Sequence, residues 1–205
     1  MPRPLAAFAA VWIAAAFGVS GCGKKAAPSK YAALKTSKGT ITVRLFADAA
    51  PNTVQNFIDL AAGKKPWKDP RDGRMKTAPL YNGVVFHRVI PGFMVQTGDP
   101  LGNGEGEIGF EIPDEIRPEL RYDRPGLVGM ANHGPNTGAS QFFITAGPAP
   151  DLNGRHTMFG EVVDGLKTVK AISEVPRNVE FEANRPLEPV VLESVTITDK
   201  PPRTP

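Results

Sequence analysis

The chain has 205 residues, with 24 basic and 21 acidic side chains and a formal net charge of +3. That length allows one domain with a sizeable core, and so even a charge balance lacks the basic stripe of a nucleic-acid binder. Glycine and proline each occur 21 times, while apolar residues make up 41% of the chain. This excludes an unstructured polymer and points to a loop-rich globular protein of many short strands.

The first stretch, MPRPLAAFAAVWIAAAFGVSGC, has Arg3 near its start, an apolar run from Leu5 to Val19, then small residues. That is a secretory-signal layout, too short and too lightly flanked for a membrane span. It ends on Cys22, the only cysteine of the chain. The stretch resembles a bacterial lipoprotein signal with its lipobox. The resemblance implies that residues 1–21 are removed and that Cys22 is lipidated, leaving the protein in the cell envelope on a lipid anchor. The alternative is a soluble exported protein or an uncleaved anchor. With Cys22 lipidated no disulfide is available, so core packing must hold the fold in an oxidising compartment. Residues 22–30 then form a tether whose Lys24, Lys25 and Lys30 lie close to anionic head groups. By resemblance to double-membrane bacteria, Gly23 in place of an aspartate favours the outer membrane over inner-membrane retention if the host has two membranes.

Residues 31–199 read as the folded domain and 200–205 as a loose tail. YAALKTSKGTITVRLF is a hairpin signal: Ser37-Lys38-Gly39 supplies the turn, and Ile41, Val43 and Leu45 alternate with Thr42, Arg44 and Phe46. The period then changes. Val54, Phe57, Ile58 and Ala61 follow helical spacing, which predicts a helix near 51–62 begun by Pro51 and ended at Gly63. KPWKDPRDGRMKTAP reads as a long loop or a small protruding hairpin. Strands are expected near 83–90, 93–97, 127–130 and 141–145, and in HTMFGEVV, with a second helix near 165–173. In VVFHRVIPGFMVQTGD, Val84, Phe86 and Ile90 fall on one face of a period-2 strand, and Arg88 shares that face. VVLESVTIT closes the domain, with Val191, Glu193, Val195 and Ile197 alternating against Val190, Leu192, Ser194 and Thr196. Many short strands with two helices, and no alternating βαβ units, suggest an all-β barrel or sandwich with helical lids.

The three histidines, His87, His133 and His156, belong to no familiar hydrolytic or metal pattern. There is no G-x-S-x-G elbow, no HExxH and no CxxC. GNGEGEIG is rich in glycine, but Glu105 and Glu107 would repel a phosphate; it reads as the flexible wall of something. Neither a metal nor a cofactor is expected. What remains is a constellation without a nucleophile: Arg88, Phe93, Met94, Gln96, Asn132, Phe143, Leu152 and His156. Four of these are apolar and suit a pocket for one side chain; the polar members supply donors and acceptors around it. Taken singly, Phe93 and Phe143 are ordinary core residues and Arg88 an ordinary surface arginine.

FHRVIPGFMVQTGD, GLVGMANHGPNTGASQFFIT and LNGRHTMFGEVV together resemble the signature blocks of the cyclophilin family of peptidyl-prolyl isomerases. The resemblance runs from about Tyr31 to Thr198. It implies a closed eight-stranded antiparallel β-barrel capped by two α-helices, and an active groove on the outer surface of the barrel. It further implies that Arg88 is catalytic and that Phe93, Met94, Phe143 and Leu152 form the walls of a proline pocket. Gln96, Ala131 and Asn132 would grip the peptide backbone, with Gln141 beside them and His156 at the pocket. Gly102 and Asn103 would fall near an adjoining secondary pocket. Thr97, His133 and Asp151 depart from the usual pattern, Asp151 standing where an aromatic is common. The substrates implied are proline-containing polypeptides, handled by a monomer that helps exported proteins fold. The alternatives are a non-catalytic proline-peptide-binding chaperone module on the same scaffold and an anchored structural protein with no groove function.

Overall fold

The computed structural model describes residues 30–179 and 184–200. The signal, Cys22 and almost all of the tether lie outside the described residues, as does the end of the tail. The expected hairpin is formed by β1 (Lys30–Thr36) and β2 (Gly39–Leu45), with Ile41, Val43 and Leu45 in the core. Helix α1 (Pro51–Ala61) follows, with Pro51 in its first turn. Its capping residue Ala50 has no side chain to offer. The Glu115 carboxylate instead accepts from the Asn52 N–H (3.1 Å), the Thr53 N–H (2.8 Å) and the Thr53 hydroxyl. An anion there satisfies otherwise unpaired donors and the positive end of the helix.

The stretch read as a loop or protruding hairpin is a hairpin, made of β3 (Trp67–Lys68) and β4 (Met75–Lys76). Its turn is fastened by Asp69, which is fully buried and accepts from Arg71 and Lys76. Next come β5 (Val84–Val85), β6 (Arg88–Ile90), β7 (Met94–Thr97), β8 (Leu127–Met130) and β9 (Phe142–Thr145). A short 3₁₀ turn, Pro150–Leu152, leads to β10 (Met158–Asp164) and α2 (Leu166–Ser173). A small pair, β11 (Arg177–Asn178) and β12 (Arg185–Pro186), precedes β13 (Val191–Thr198).

Nine of these strands form one antiparallel sheet in the order β5-β13-β1-β2-β10-β8-β9-β7-β6. The mainly β architecture with two helices is as expected. The hydrogen-bond ladder, however, has nine strands and two ends. Its end strands, β5 and β6, are neighbours in sequence, separated only by Phe86 and His87. Within the curl, Phe57 of α1 meets Phe142 edge-on at 5.4 Å and Tyr81 at 5.0 Å. Val169 and Ile172 of α2 are fully enclosed in the same core.

Two expectations of continuous alternation fail, for the same reason. The run 84–90 is not one strand. Val84 and Phe86 enter the core, and so does Val89, while Ile90 lies in a separate apolar cluster. The break at Phe86-His87 switches the inward parity from even to odd residues. Arg88 therefore shares a face with Ile90, not with Val84 and Phe86. In β13 a bulge does the same: Lys35 opposes Ser194, but Thr36 opposes Leu192. Val190 and Leu192 before the bulge and Val195 after it are all buried. One extra residue in a strand flips every side chain beyond it.

His87, inside the break, is 6% exposed; neither of its ring nitrogens makes a well-formed hydrogen bond among the described residues, and only the Val85 backbone approaches the ring as a polar partner. Burial pushes its pKa down and Arg185 and Arg88 add to this, while Asp99 and the Val85 backbone oppose it. A histidine held neutral only when folded leaves the unfolded chain binding more protons below about pH 6.5. Stability is expected to be full at neutral pH and to fall as the pH drops below about 6.5. Urea midpoints across this window check it. His87→Gln should flatten the decline, and a midpoint that rises on acidification would contradict the assignment.

Candidate active site

The parity switch builds a second apolar surface on the outside of the sheet. Arg88 of β6 opposes Gln96 of β7, Gln96 opposes Phe143 of β9, Phe143 opposes Gly129 of β8, and Gly129 opposes Met158 of β10. Directly opposed residues share a face, so this is one row across five strands. A second row on that face runs Ile90, Met94, Thr145. Val89, Val95, Ile144 and Val128 lie between these rows and point into the core. The outer cluster gathers Met94, Phe143, Met158, Tyr122 and Leu127, with Phe93, Ala131 and Leu152 partly buried against it.

Local features hold each piece. Gly92 has φ +70°, a left-handed conformation that glycine takes without strain. That turn lets the Phe93 N–H donate to the Ile90 carbonyl (3.1 Å) and the Ala146 N–H to the Phe93 carbonyl (2.8 Å). The Phe143 ring lies over the bare backbone of Gly129; a β-carbon there would stand 2.3 Å from both Phe143 Cζ and the Tyr122 hydroxyl. Tyr122 is tilted against Phe143 at 5.5 Å, and His156 meets that ring edge-on at 5.3 Å. The His156 Nδ1 lies 3.0 Å from the Met130 carbonyl. Burial pushes the His156 pKa down, its Met130 bond and Asp114 oppose that, and Arg155 adds to it. Leu152 reaches the cluster from the 3₁₀ turn, and its neighbour Asp151 is exposed.

Arg88 is the exception in this well-satisfied surface. It is half-buried, and its guanidinium makes no hydrogen bond or ion pair with any described residue. Burial lowers its pKa, yet an arginine stays charged at any physiological pH. It is thus a fixed cationic donor beside an apolar patch, with no acceptor of its own.

A groove of about 670 Å³ adjoins the patch. Gln96, Ala131, Asn132 and Gln141 line it together with the segment 105–111. Its floor is a hydrogen-bond chain: Gln96 Nε2 donates to Gln141 Oε1 (3.0 Å), and Gln141 Nε2 donates to the Gly104 carbonyl (2.9 Å). Asn132 Nδ2 donates to the Arg155 carbonyl at 2.9 Å. The structure therefore divides the residues singled out in the sequence between two adjoining places. Arg88, Phe93, Met94, Phe143, Leu152 and His156 belong to the patch. Gln96, Asn132 and Gln141 belong to the groove, and Ala131 to both. Gly102 is buried and Asn103 exposed, and neither lines the groove. The segment read as a wall is one, since Glu105, Gly106 and Glu107 line it. Sequence reading missed Tyr122 and Met158, which support Phe143. Tyr122 sits in irregular chain with no period to mark it. Among the described residues no cluster of histidine, cysteine and carboxylate side chains suits a metal.

Gly129→Ala tests the floor of the patch. The added methyl group must displace Phe143 or Tyr122, so a loss of about 1–3 kcal/mol of stability is expected. Urea unfolding measures it, and an unchanged midpoint would show that the ring has room to spare.

Residues 31–197 match the cyclophilin type peptidyl-prolyl cis-trans isomerase/CLD family. The chain is 52% identical over 169 residues to peptidyl-prolyl cis-trans isomerase B of Streptomyces anulatus, covering 82% of this chain and 95% of that one. It is 47% identical over 167 residues to peptidyl-prolyl cis-trans isomerase A of Mycobacterium tuberculosis, covering 82% and 91%. Among solved structures, a cyclophilin type isomerase of Cryptosporidium parvum superposes with a TM-score of 0.72 at 32% identity, over 84% of this chain and 99% of that one. The same protein crystallised in the presence of the dipeptide Ala-Pro gives a TM-score of 0.70 at 32% identity, covering 82% and 98%. The chain belongs to the cyclophilin-type peptidyl-prolyl cis-trans isomerases.

Proposed function

We propose that Arg88 is the group that accelerates rotation about X–Pro bonds, with the proline ring held on Phe93, Met94, Phe143 and Leu152. One observation carries this reading: a half-buried guanidinium without a partner stands in register with Gln96 and Phe143. The peptide C–N bond resists rotation by roughly 18–20 kcal/mol. Uncatalysed prolyl isomerisation takes tens to hundreds of seconds. Midway through the turn, amide resonance is broken and the proline nitrogen regains its lone pair. A donor aimed at that lone pair binds the twisted state better than either planar state, which is what lowers a barrier. By analogy with an oxyanion-hole donor it supplies about 3–4 kcal/mol in a partly dry site. Gln96 and Asn132 hold the flanking backbone, and Ala131, Gln141 and His156 keep its track in place. No covalent step is needed.

The fold reading can be sharpened in the same way. Counting 84–90 as one strand interrupted at Phe86-His87 leaves eight strands and returns the ring from β6 to β13. That supports the closed eight-stranded barrel expected from the resemblance.

Location is a further part of the proposal. The chain acts on exported polypeptides from a lipid anchor on Cys22. The apolar run before Cys22 and the lysines after it support this, and the family match begins only at residue 31.

Arg88→Ala should cut kcat/KM on an X–Pro peptide by about tenfold or more, chiefly through kcat, while the fold survives. Equal activity in the folded variant would remove Arg88 from the role. The rival view, a chaperone module that only binds proline peptides, expects wild type and variant alike to bind without turnover. For the anchor, mass spectrometry of protein extracted from membranes should find an acylated N-terminus at Cys22. An unmodified Cys22, or an N-terminus elsewhere, would refute the lipoprotein assignment.

A further inference from the structure

The groove beside the patch carries a charge of one sign. Glu105, Glu107 and Glu111 line it, and all three are exposed. Among the described residues none of them forms an ion pair. No lysine or arginine among the described residues lines the groove. Lys65 lies over the Phe110 ring at 3.8 Å and donates to Asn56 Oδ1 at 2.7 Å. The backbone N–H of Lys68 donates to the Ile108 carbonyl at 2.8 Å, which ties the hairpin to the wall, and the exposed Lys68 side chain is not among the groove's lining. The only titratable side chain on the opposite wall is His133, which is exposed.

The groove continues the reaction site. Gln96 lines it and also opposes Arg88 and Phe143 in the sheet; Ala131 belongs to both surfaces. An extended peptide advances roughly 3.3 Å per residue. With a proline seated on Phe143, a residue two or three positions away lies over the groove. A cleft lined by one sign of charge concentrates its field and draws in the opposite sign.

We propose that Glu105, Glu107 and Glu111 make this isomerase selective for clients bearing a lysine or arginine a few residues from the isomerised proline. The proposal rests on the isomerase reading and adds a substrate class to it. The preference is confined to one flank of the proline, because only one flank enters the groove.

The test compares kcat/KM for proline peptides carrying lysine or uncharged norleucine at each of three positions on either side. At low salt the lysine-to-norleucine ratio should reach about three- to tenfold at one or two positions on a single flank, the scale of a few exposed ion pairs acting together. It should fall towards one in high salt and in the triple variant Glu105→Gln, Glu107→Gln, Glu111→Gln. A ratio of one at every position, or one equal on both flanks, would overturn the proposal. So would a ratio that survives the triple variant but collapses in Asp151→Asn, which would place the preference at the rim of the patch. Turnover of the norleucine peptides reports on isomerisation separately. A folded protein that turns over none of the peptides defeats the isomerase reading, and the selectivity with it.

Discussion

The site depends on a two-residue interruption in one strand. Between β5 and β6, Phe86 and His87 leave the ladder, and the side chains that face inward change from even-numbered to odd-numbered. Had the strand run through unbroken, Arg88 would follow Val84 and Phe86 into the core. An unpaired guanidinium there would cost several kcal/mol after relaxation. The interruption sends Val89 inward and Arg88 outward, into line with Gln96 and Phe143. It also leaves the imidazole of His87 enclosed, with no well-formed hydrogen bond to either ring nitrogen among the described residues. A local weakening of polar satisfaction accompanies the outward presentation of Arg88.

Once Arg88 faces outward, the sheet has to be apolar on both faces over part of its area. The inner face takes Val89, Val95, Val128 and Ile144, and the outer face takes Met94, Phe143 and Met158. Gly129 leaves its place on the outer face open, and the Phe143 ring and the Tyr122 hydroxyl lie where its side chain would stand. Glycine weakens a strand in isolation; here the ring and Tyr122 occupy the space. The result is a patch whose supports are fixed by packing while its donor remains free. That division suits a reaction in which the substrate twists and the protein stays still.

The neighbouring groove is held by polar contacts instead. Asp99 is fully buried, and its carboxylate accepts from the N–H groups of Leu101, Asn103 and Gly104. A carboxylate that collects several backbone donors fixes the path of a loop. The Gly104 carbonyl then receives Gln141, and Gln141 receives Gln96. The glutamates of 105–111 are carried on this frame without being consumed by it, so their charge stays on the groove wall.

Much of this was legible in the chain itself. The hairpin of β1 and β2, helix α1 and helix α2 follow from unbroken periodicity, from the turn at Ser37-Lys38-Gly39 and from Pro51 at the start of α1, although the N-terminal donors of α1 are satisfied by the distant Glu115. Arg88, Phe93, Met94, Phe143 and Leu152 were marked by long blocks resembling a known family. Two things were not legible. Inward parity along 84–90 and 190–198 depends on a break and a bulge, and each is decided by which neighbour pairs with which residue, a long-range fact. Tyr122 joins the site from irregular chain that nothing nearby marks, and Met158 and Glu111, though inside or beside stretches that were singled out, have no local period that assigns them to it. Residue types and local period determined which elements form and which side chains are equipped for the chemistry. Only the tertiary fold decided which face each side chain meets, because strand register is set by partners elsewhere in the sheet.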